Sequence, residues 1–256
     1  MIDALRLSWG TLTAVPVKPP GAVTPRVGSW AMTFAPLVAG MLAVLAGAFI
    51  ALLRWTSLPP LLVAALTIGL LALLTRAIHL DGLADTADGL GSGRPAAEAL
   101  TIMRSSDIGP AGVATLTLVL LAQVAALAQH VGAGRASWTV ALALVVSRSI
   151  LPLICSKAIP AARADGLGQL VAGSVGRLQL LVTAGITVLV LLLLAVAVAP
   201  SGESLVGAAG SAVAGLLAGA TFCWNCVRRL GGVTGDVMGA CVEVSFTAAL
   251  VVLTLT

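Results

Sequence analysis

The stretch HLDGLADTADGLGSGR (79–94) places three carboxylates, Asp81, Asp85 and Asp88, directly after one of the most apolar runs of the chain. Only 9% of the 256 residues are charged, so three acids within eight positions stand out. Spaced i, i+4, i+7, they fall within about 60° of one another on a helix. Like charges held that close repel unless a cation sits among them. Mg²⁺ suits such a face, because it takes carboxylate oxygen and keeps water and substrate phosphate as its other ligands. Two such ions would clamp a diphosphate, stabilising both the attacking and the leaving oxygen. Gly82, Gly89, Gly91 and Gly93 in the same stretch permit close backbone approach to a phosphate. No Gly-Lys-Ser/Thr of the Walker type follows.

Other candidates lie elsewhere in the chain. Arg104, in Met103-Arg104-Ser105-Ser106-Asp107, is a candidate phosphate ligand, since a guanidinium matches phosphate oxygens bidentately. Arg148 lies inside an apolar run, where a buried arginine needs an acidic partner, a cavity or an anionic ligand. Asp236 and Glu243 are its possible partners, and a place in or beside the substrate cavity is the favoured reading. These two acids, seven residues apart, share one helix face. Asp236 suits a metal ligand, a base or a helix cap. His79 is placed to touch substrate. Cys223-Trp224-Asn225-Cys226 has neither the βαβ context of a redox pair nor the second ligand pair of a zinc site. With Cys155 and Cys241 it reads as small membrane residues. Ala161 to Gly168 reads as a turn.

The elements that must position these groups are membrane helices. Of the residues, 59% are hydrophobic and the mean hydropathy is +1.09. Soluble domains are roughly half apolar and about a quarter charged. Apolar runs near twenty residues recur, the length that crosses about 30 Å of hydrocarbon. The expected fold is therefore all-α, a single polytopic bundle. About seven spanning helices are expected, at approximately 30–53, 58–79, 108–129, 136–157, 178–199, 204–224 and 236–255. The sixth is rich in Gly and Ala, which suits close helix packing. Residues 1–28 read as an interfacial segment, with Ile2, Leu5, Trp9 and Leu12 on one face, and without the basic start and apolar core of a signal peptide. The chain has no Tyr and four Phe, so it lacks a platform for stacking bases, and no nucleic-acid partner is expected.

Charge orients the bundle. With the N-terminus in the cytosol, Arg6, Lys18, Arg26, Arg76, Arg94, Arg104, Lys157, Arg163, Arg177, Arg228 and Arg229 lie inside, and only Arg54 and Arg135 lie outside. The outer connections (54–57, 130–135, 200–203) are short and plain. The inner ones, 80–107, 158–177 and 225–235, hold most remaining polar residues, with 80–107 expected as a cytosolic metal-binding loop. The site is thus expected on the cytosolic face of the cell (inner) membrane.

Taken together, the motifs resemble the cobalamin (5′-phosphate) synthase family, the adenosylcobinamide-GDP ribazoletransferases. The resemblance runs through Leu12-Thr13, Val15-Pro16, Phe34-Ala35-Pro36-Leu37, HLDGLADTADGL (79–90), Ile102-Met103-Arg104 with Gly109 and Gly112, Ser147-Arg148, Gly166-Leu167-Gly168 and GGVTGDVMGACVE (231–243). Family members read Met-Arg-Asp-Ser-Arg where this chain reads Met-Arg-Ser-Ser-Asp, so no catalytic role is carried onto Ser105 or Asp107. The resemblance implies a Mg²⁺-dependent transfer. The ribose 3′-hydroxyl of α-ribazole, or of its 5′-phosphate, attacks the phosphate attached to adenosylcobinamide, and GMP leaves. It implies that Asp81, Asp85 and Asp88 hold the metal and that Arg104 and Arg148 hold phosphate. His79, Gly89, Gly235 and Glu243 would line the substrate site, and Asp88 or Asp236 would take the hydroxyl proton. Membrane lipid surrounds such a protein, and a homo-oligomer or a complex with other cobalamin-assembly enzymes is compatible with it.

Two other readings compete. A CDP-alcohol phosphotransferase motif begins Asp-Gly and continues, after two residues, with Ala-Arg. Here Asp81-Gly82 is followed by Leu83-Ala84-Asp85, without the Arg. An ion-coupled secondary transporter would place its acids near the midplane within inverted repeats, whereas these acids lie at the membrane edge and no internal repeat is visible.

Overall fold

The computed structural model describes residues 1–198 and 205–255, and its regular structure is entirely helical. In chain order the helices are α1 (Ile2–Leu12), α2 (Pro25–Thr33), α3 (Ala35–Leu53), α4 (Pro60–Leu74), α5 (Ile78–Gly91), α6 (Ala96–Ile102), α7 (Pro110–Gly132), α8 (Ala136–Ile154), α9 (Gly166–Val171), α10 (Arg177–Val198), α11 (Leu205–Leu230) and α12 (Gly235–Leu253). Among the described residues, α3, α7, α8, α10, α11 and α12 are each long and apolar enough to cross a membrane. A seventh crossing exists only if α4 and α5 count as one broken span. The all-α polytopic bundle is thus the observed fold. The outer connection expected at 200–203 lies outside the described residues.

The centre of the bundle is α8, buried along nearly its whole length, with α3, α10, α11 and α12 packed around it. Its polar residues are accommodated locally. Ser147 donates to the Leu144 carbonyl (2.9 Å) and Ser149 to that of Val145 (2.7 Å). Small residues bring α11 close. A Cβ on Gly215 would lie 2.9 Å from the Ser245 carbonyl oxygen, and one on Gly219 would lie 2.9 Å from Ile150. The Gly-rich sixth span therefore packs tightly, as its composition suggests.

The chain departs from the expected spans at two places. The first span is divided at Phe34 into α2 and α3, with Pro36 at the start of α3, where a missing backbone N–H costs nothing. The second, expected as one helix over 58–79, breaks after Leu74, and α5 leaves at 90° to α4. Arg76 and Ala77 at this corner both take left-handed backbone angles (φ 54° each). That conformation costs a non-glycine residue about 1–2 kcal/mol. The corner is stitched to α1 and the residues just after it: Arg76 Nη2 donates to the Gly10 carbonyl (2.7 Å) and the Ala14 N–H to that of Leu74 (2.6 Å). On α1 the buried residues are Ala4, Ser8 and Leu12, while Ile2 and Leu5 are exposed, an apolar strip available to lipid. Of the expected apolar face, Leu12 is buried and Trp9 packs partly buried against the same core cluster.

Residues 80–107, expected as a loop, are mostly helix: the rest of α5, then α6. A helix here follows from the same i, i+4, i+7 pattern that groups the acids. Crossing α12 fixes α5 at one end. A Cβ on Gly82 would lie 2.6 Å from the Asp236 carbonyl oxygen, so only glycine permits this approach. At the other end Asp88 accepts hydrogen bonds from the backbone N–H groups of Gly109 (2.7 Å) and Gly112 (2.8 Å), at the start of α7. It supplies charge and acceptors to N–H groups that no helical carbonyl reaches.

Two stability predictions follow from these contacts. Asp88→Asn replaces one acceptor by a donor facing an N–H group, and should lower thermal stability in detergent by about 1–3 kcal/mol. An unchanged melting temperature would show that α5 is not held to α7 through Asp88. Ala77→Gly should stabilise the chain by about 1 kcal/mol and Ala77→Val should destabilise it; the reverse order would contradict the left-handed corner.

Candidate active site

Where α5 crosses the start of α12, a cleft of about 420 Å³ opens at the end of the bundle. Its floor is apolar, from Leu12, Met32, Leu151 and Met238. Its polar wall carries Thr11, His79, Asp81, Arg104, Arg163, Asp165, Gly235 and Asp236.

Four segments deliver these groups. The corner at Arg76-Ala77 swings α5 across the bundle end, which sets His79 and Asp81 in the wall. Thr234 caps α12, accepting from the Val237 N–H (3.2 Å) and donating to Asp236 Oδ2 (3.1 Å), which fixes that carboxylate. The connection from α8 to α9 is strapped to the start of α12. The Val233 N–H donates to the Pro160 carbonyl (2.9 Å) and the Ala162 N–H to that of Val233 (3.0 Å), forming an isolated parallel bridge between Ala161 and Val233. The strap places Arg163 beside Asp236, where Nη1 donates to Oδ2 (3.3 Å) and Nη2 to the Leu100 carbonyl (2.8 Å). From the turn after α6, Arg104 donates through Nη2 to both carboxylate oxygens of Asp165.

Of the residues singled out by sequence, His79, Asp81, Arg104, Gly235 and Asp236 come together in the cleft. Asp85, half-buried, does not line it, yet its carboxylate feels the negative charges of Asp81, Asp236 and Asp88 and the positive charge of Arg163. Asp88 is turned to the α7 backbone. Gly89 is buried beneath α6, where a Cβ would lie 2.5 Å from Met103 Cγ; its smallness serves helix packing. Arg148 and Glu243 line a separate small cavity with Gln123. There Gln123 Nε2 donates to Glu243 Oε2 (2.8 Å), Arg148 Nη1 donates to Ser147 Oγ (2.8 Å), and Arg148 Nη2 lies 3.5 Å from His79 Nδ1. Glu243, rather than Asp236, is the acid whose charge acts on Arg148. This buried network reaches the cleft through His79. The Ser105 hydroxyl is engaged with the Ile102 carbonyl (2.7 Å), and neither Ser105 nor Asp107 lines the cleft. All four cysteines are free and buried, as expected of small core residues.

Sequence reasoning missed Arg163 and Asp165, which it read as parts of a turn. The available signal was an arginine and an aspartate two residues apart, directly before Gly166-Leu167-Gly168, one of the family-like motifs.

Among the described residues, no three or more His, Cys, Asp or Glu side chains form a metal-binding group. The donors that do reach the cleft are hard carboxylate oxygens on two crossing helices, beside guanidinium groups that suit phosphate. That set fits a Mg²⁺ ion, which binds through one or two carboxylates and completes its shell with water and substrate phosphate. It does not fit a closed cage of protein ligands.

Comparison with known proteins identifies the family. The family model described as cobalamin-5-phosphate synthase matches residues 4–254. The adenosylcobinamide-GDP ribazoletransferase of Nocardioides sp. is 43% identical over 98% of this chain and 97% of its own length. That of Frankia casuarinae is 36% identical over 100% and 95%. That of Pseudomonas aeruginosa is 37% identical over the full length of both chains. No solved structure matches. With a whole-length family match and relatives of this identity and coverage, the chain belongs to the cobalamin-5-phosphate synthase family, enzymes of cobalamin biosynthesis.

Proposed function

We propose that this chain joins adenosylcobinamide-GDP to α-ribazole, or to α-ribazole 5′-phosphate, giving adenosylcobalamin or its 5′-phosphate and releasing GMP. The observation that carries the reading is the meeting of Asp81, Arg104, Arg163 and Asp236, from four separate segments, in one cleft. The whole-length likeness to ribazoletransferases supports the substrates.

In this reading the diphosphate end of the first substrate enters the cleft. A site of about 420 Å³ is of small-ligand size, so the larger corrinoid lies over its mouth. Arg104 and Arg163 bind phosphate oxygens, and the positive N-terminal end of α12 at Gly235 favours the same charge. The ribose 3′-hydroxyl oxygen attacks the phosphorus attached to cobinamide. The bond from that phosphorus to the bridging oxygen breaks, and GMP leaves with the electron pair. Asp236, held by Thr234, takes the hydroxyl proton. Asp81 would hold Mg²⁺, with the Asp85 carboxylate one turn behind adding negative charge, and the ion would supply charge neutralisation on the diphosphate. Most of the acceleration is then positioning and electrostatics, as in phosphoryl transfer generally. Arg148 acts from below by positioning His79, and Glu243 supplies the negative charge that keeps Arg148 in place. The bias of Lys and Arg supports a cytosolic N-terminus and a cytosolic cleft.

The assay is direct: purified protein in detergent with adenosylcobinamide-GDP, α-ribazole and Mg²⁺ should release GMP, and folded protein that releases none would remove the reading. Asp81→Asn and Asp236→Asn should each lower the rate by about a hundredfold or more while leaving the protein inserted. Gly82→Val should lower it comparably without touching an acid, because the crossing that brings Asp81 to Asp236 cannot close. Wild-type turnover in Gly82→Val would detach catalysis from that crossing.

A further inference from the structure

The cleft holds its arginines in internal ion pairs. Arg163 is bound to Asp236 and Arg104 to Asp165, and all four residues line the cavity. The Arg104–Asp165 pair is the unusual one. Asp165 stands at the N-cap position of α9, yet its side chain makes no capping hydrogen bond. Both carboxylate oxygens instead face one guanidinium nitrogen of Arg104, 61 residues away in sequence. The side chains are 53% and 61% exposed, so the pair adds little to stability and is open to exchange. A carboxylate meeting a guanidinium in this way occupies the position that a phosphate oxygen would take.

We infer that Asp165 is a stand-in for substrate phosphate: it holds Arg104 in place until a diphosphate binds and displaces it. The inference rests on the diphosphate reading of the cleft and adds a residue that sets affinity within it. On displacement Arg104 passes to the incoming phosphate. Asp165 thereby opposes binding of any ligand whose phosphate does not reach Arg104, because such a ligand adds negative charge without taking over the guanidinium.

The test is calorimetric binding of GDP with Mg²⁺ to the purified full chain. It compares wild type, Asp165→Asn, Arg104→Gln and the double variant. Asparagine serves an N-cap as well as aspartate, so α9 is retained. Asp165→Asn should bind GDP roughly two- to fivefold more tightly than wild type, the size expected for release of an exposed pair. Arg104→Gln should bind more weakly, and adding Asp165→Asn to it should restore nothing. Unchanged or weaker binding by Asp165→Asn, with wild type binding normally, would overturn the inference alone. An equal gain in the Arg104→Gln background would also overturn it, since the effect would then be diffuse charge. Failure of both wild type and Asp165→Asn to bind GDP would remove the diphosphate reading and the inference with it.

Discussion

The site depends on a right-angle crossing. A helix that continued straight from α4 would carry Asp81, Asp85 and Asp88 away from the bundle. Instead the corner at Arg76-Ala77 turns α5 across the bundle end, and Gly82 lets its backbone rest on the first turn of α12. The corner carries a conformational cost at two residues, and two hydrogen bonds to the N-terminal segment, Arg76 to the Gly10 carbonyl and the Ala14 N–H to the Leu74 carbonyl, hold it. Strain retained beside a cleft is the pattern expected where geometry serves function. With α5 in this place, Asp81 and Asp236 face one space.

Charge then governs what the space can hold. Asp81, Asp165 and Asp236 bring negative charge to its wall, and Arg104 and Arg163 bring positive charge. The protein neutralises part of this internally through two ion pairs. A diphosphate with a hard cation is the kind of ligand that can exchange with both halves of this arrangement, the cation taking carboxylate oxygen and the phosphates taking guanidinium. Beneath it, Arg148, Glu243 and Gln123 form a buried polar layer, which keeps a charged arginine inside the bundle at a place where an unpaired one would be costly.

The sequence was informative about spans, because backbone hydrogen bonding in a membrane leaves only helices and their length is set by the bilayer. It was much less informative about which helix lies inside. Lipid and protein interior are equally apolar, so hydropathy does not separate them. In this bundle α10, the most apolar candidate span, is also the least buried, whereas α8 carries Ser147, Arg148 and Ser149 and is the most buried. The break between α4 and α5 was invisible for a related reason: neither Gly nor Pro marks Thr75-Arg76-Ala77, and the corner is imposed by contacts with α1. Asp81, Arg104 and Asp236 were legible from residue type and spacing. Asp88 was legible as an acid on the right face but not as the partner of the α7 backbone, since its hydrogen bonds reach more than twenty residues ahead. Arg163 and Asp165 were hidden because an isolated parallel bridge, which has no periodic signature, carries them to α12.

A single measurement bears most directly on the claim that the α5–α12 crossing builds a cation and diphosphate site. Mn²⁺ replaces Mg²⁺ and scatters anomalously, so an experimental structure with Mn²⁺ and GDP locates the ion without assumption. The account predicts a manganese peak in the cleft beside Asp81, with the GDP phosphates between it and the guanidinium groups of Arg104 and Arg163. A peak elsewhere, or phosphates seated away from these side chains, would contradict it.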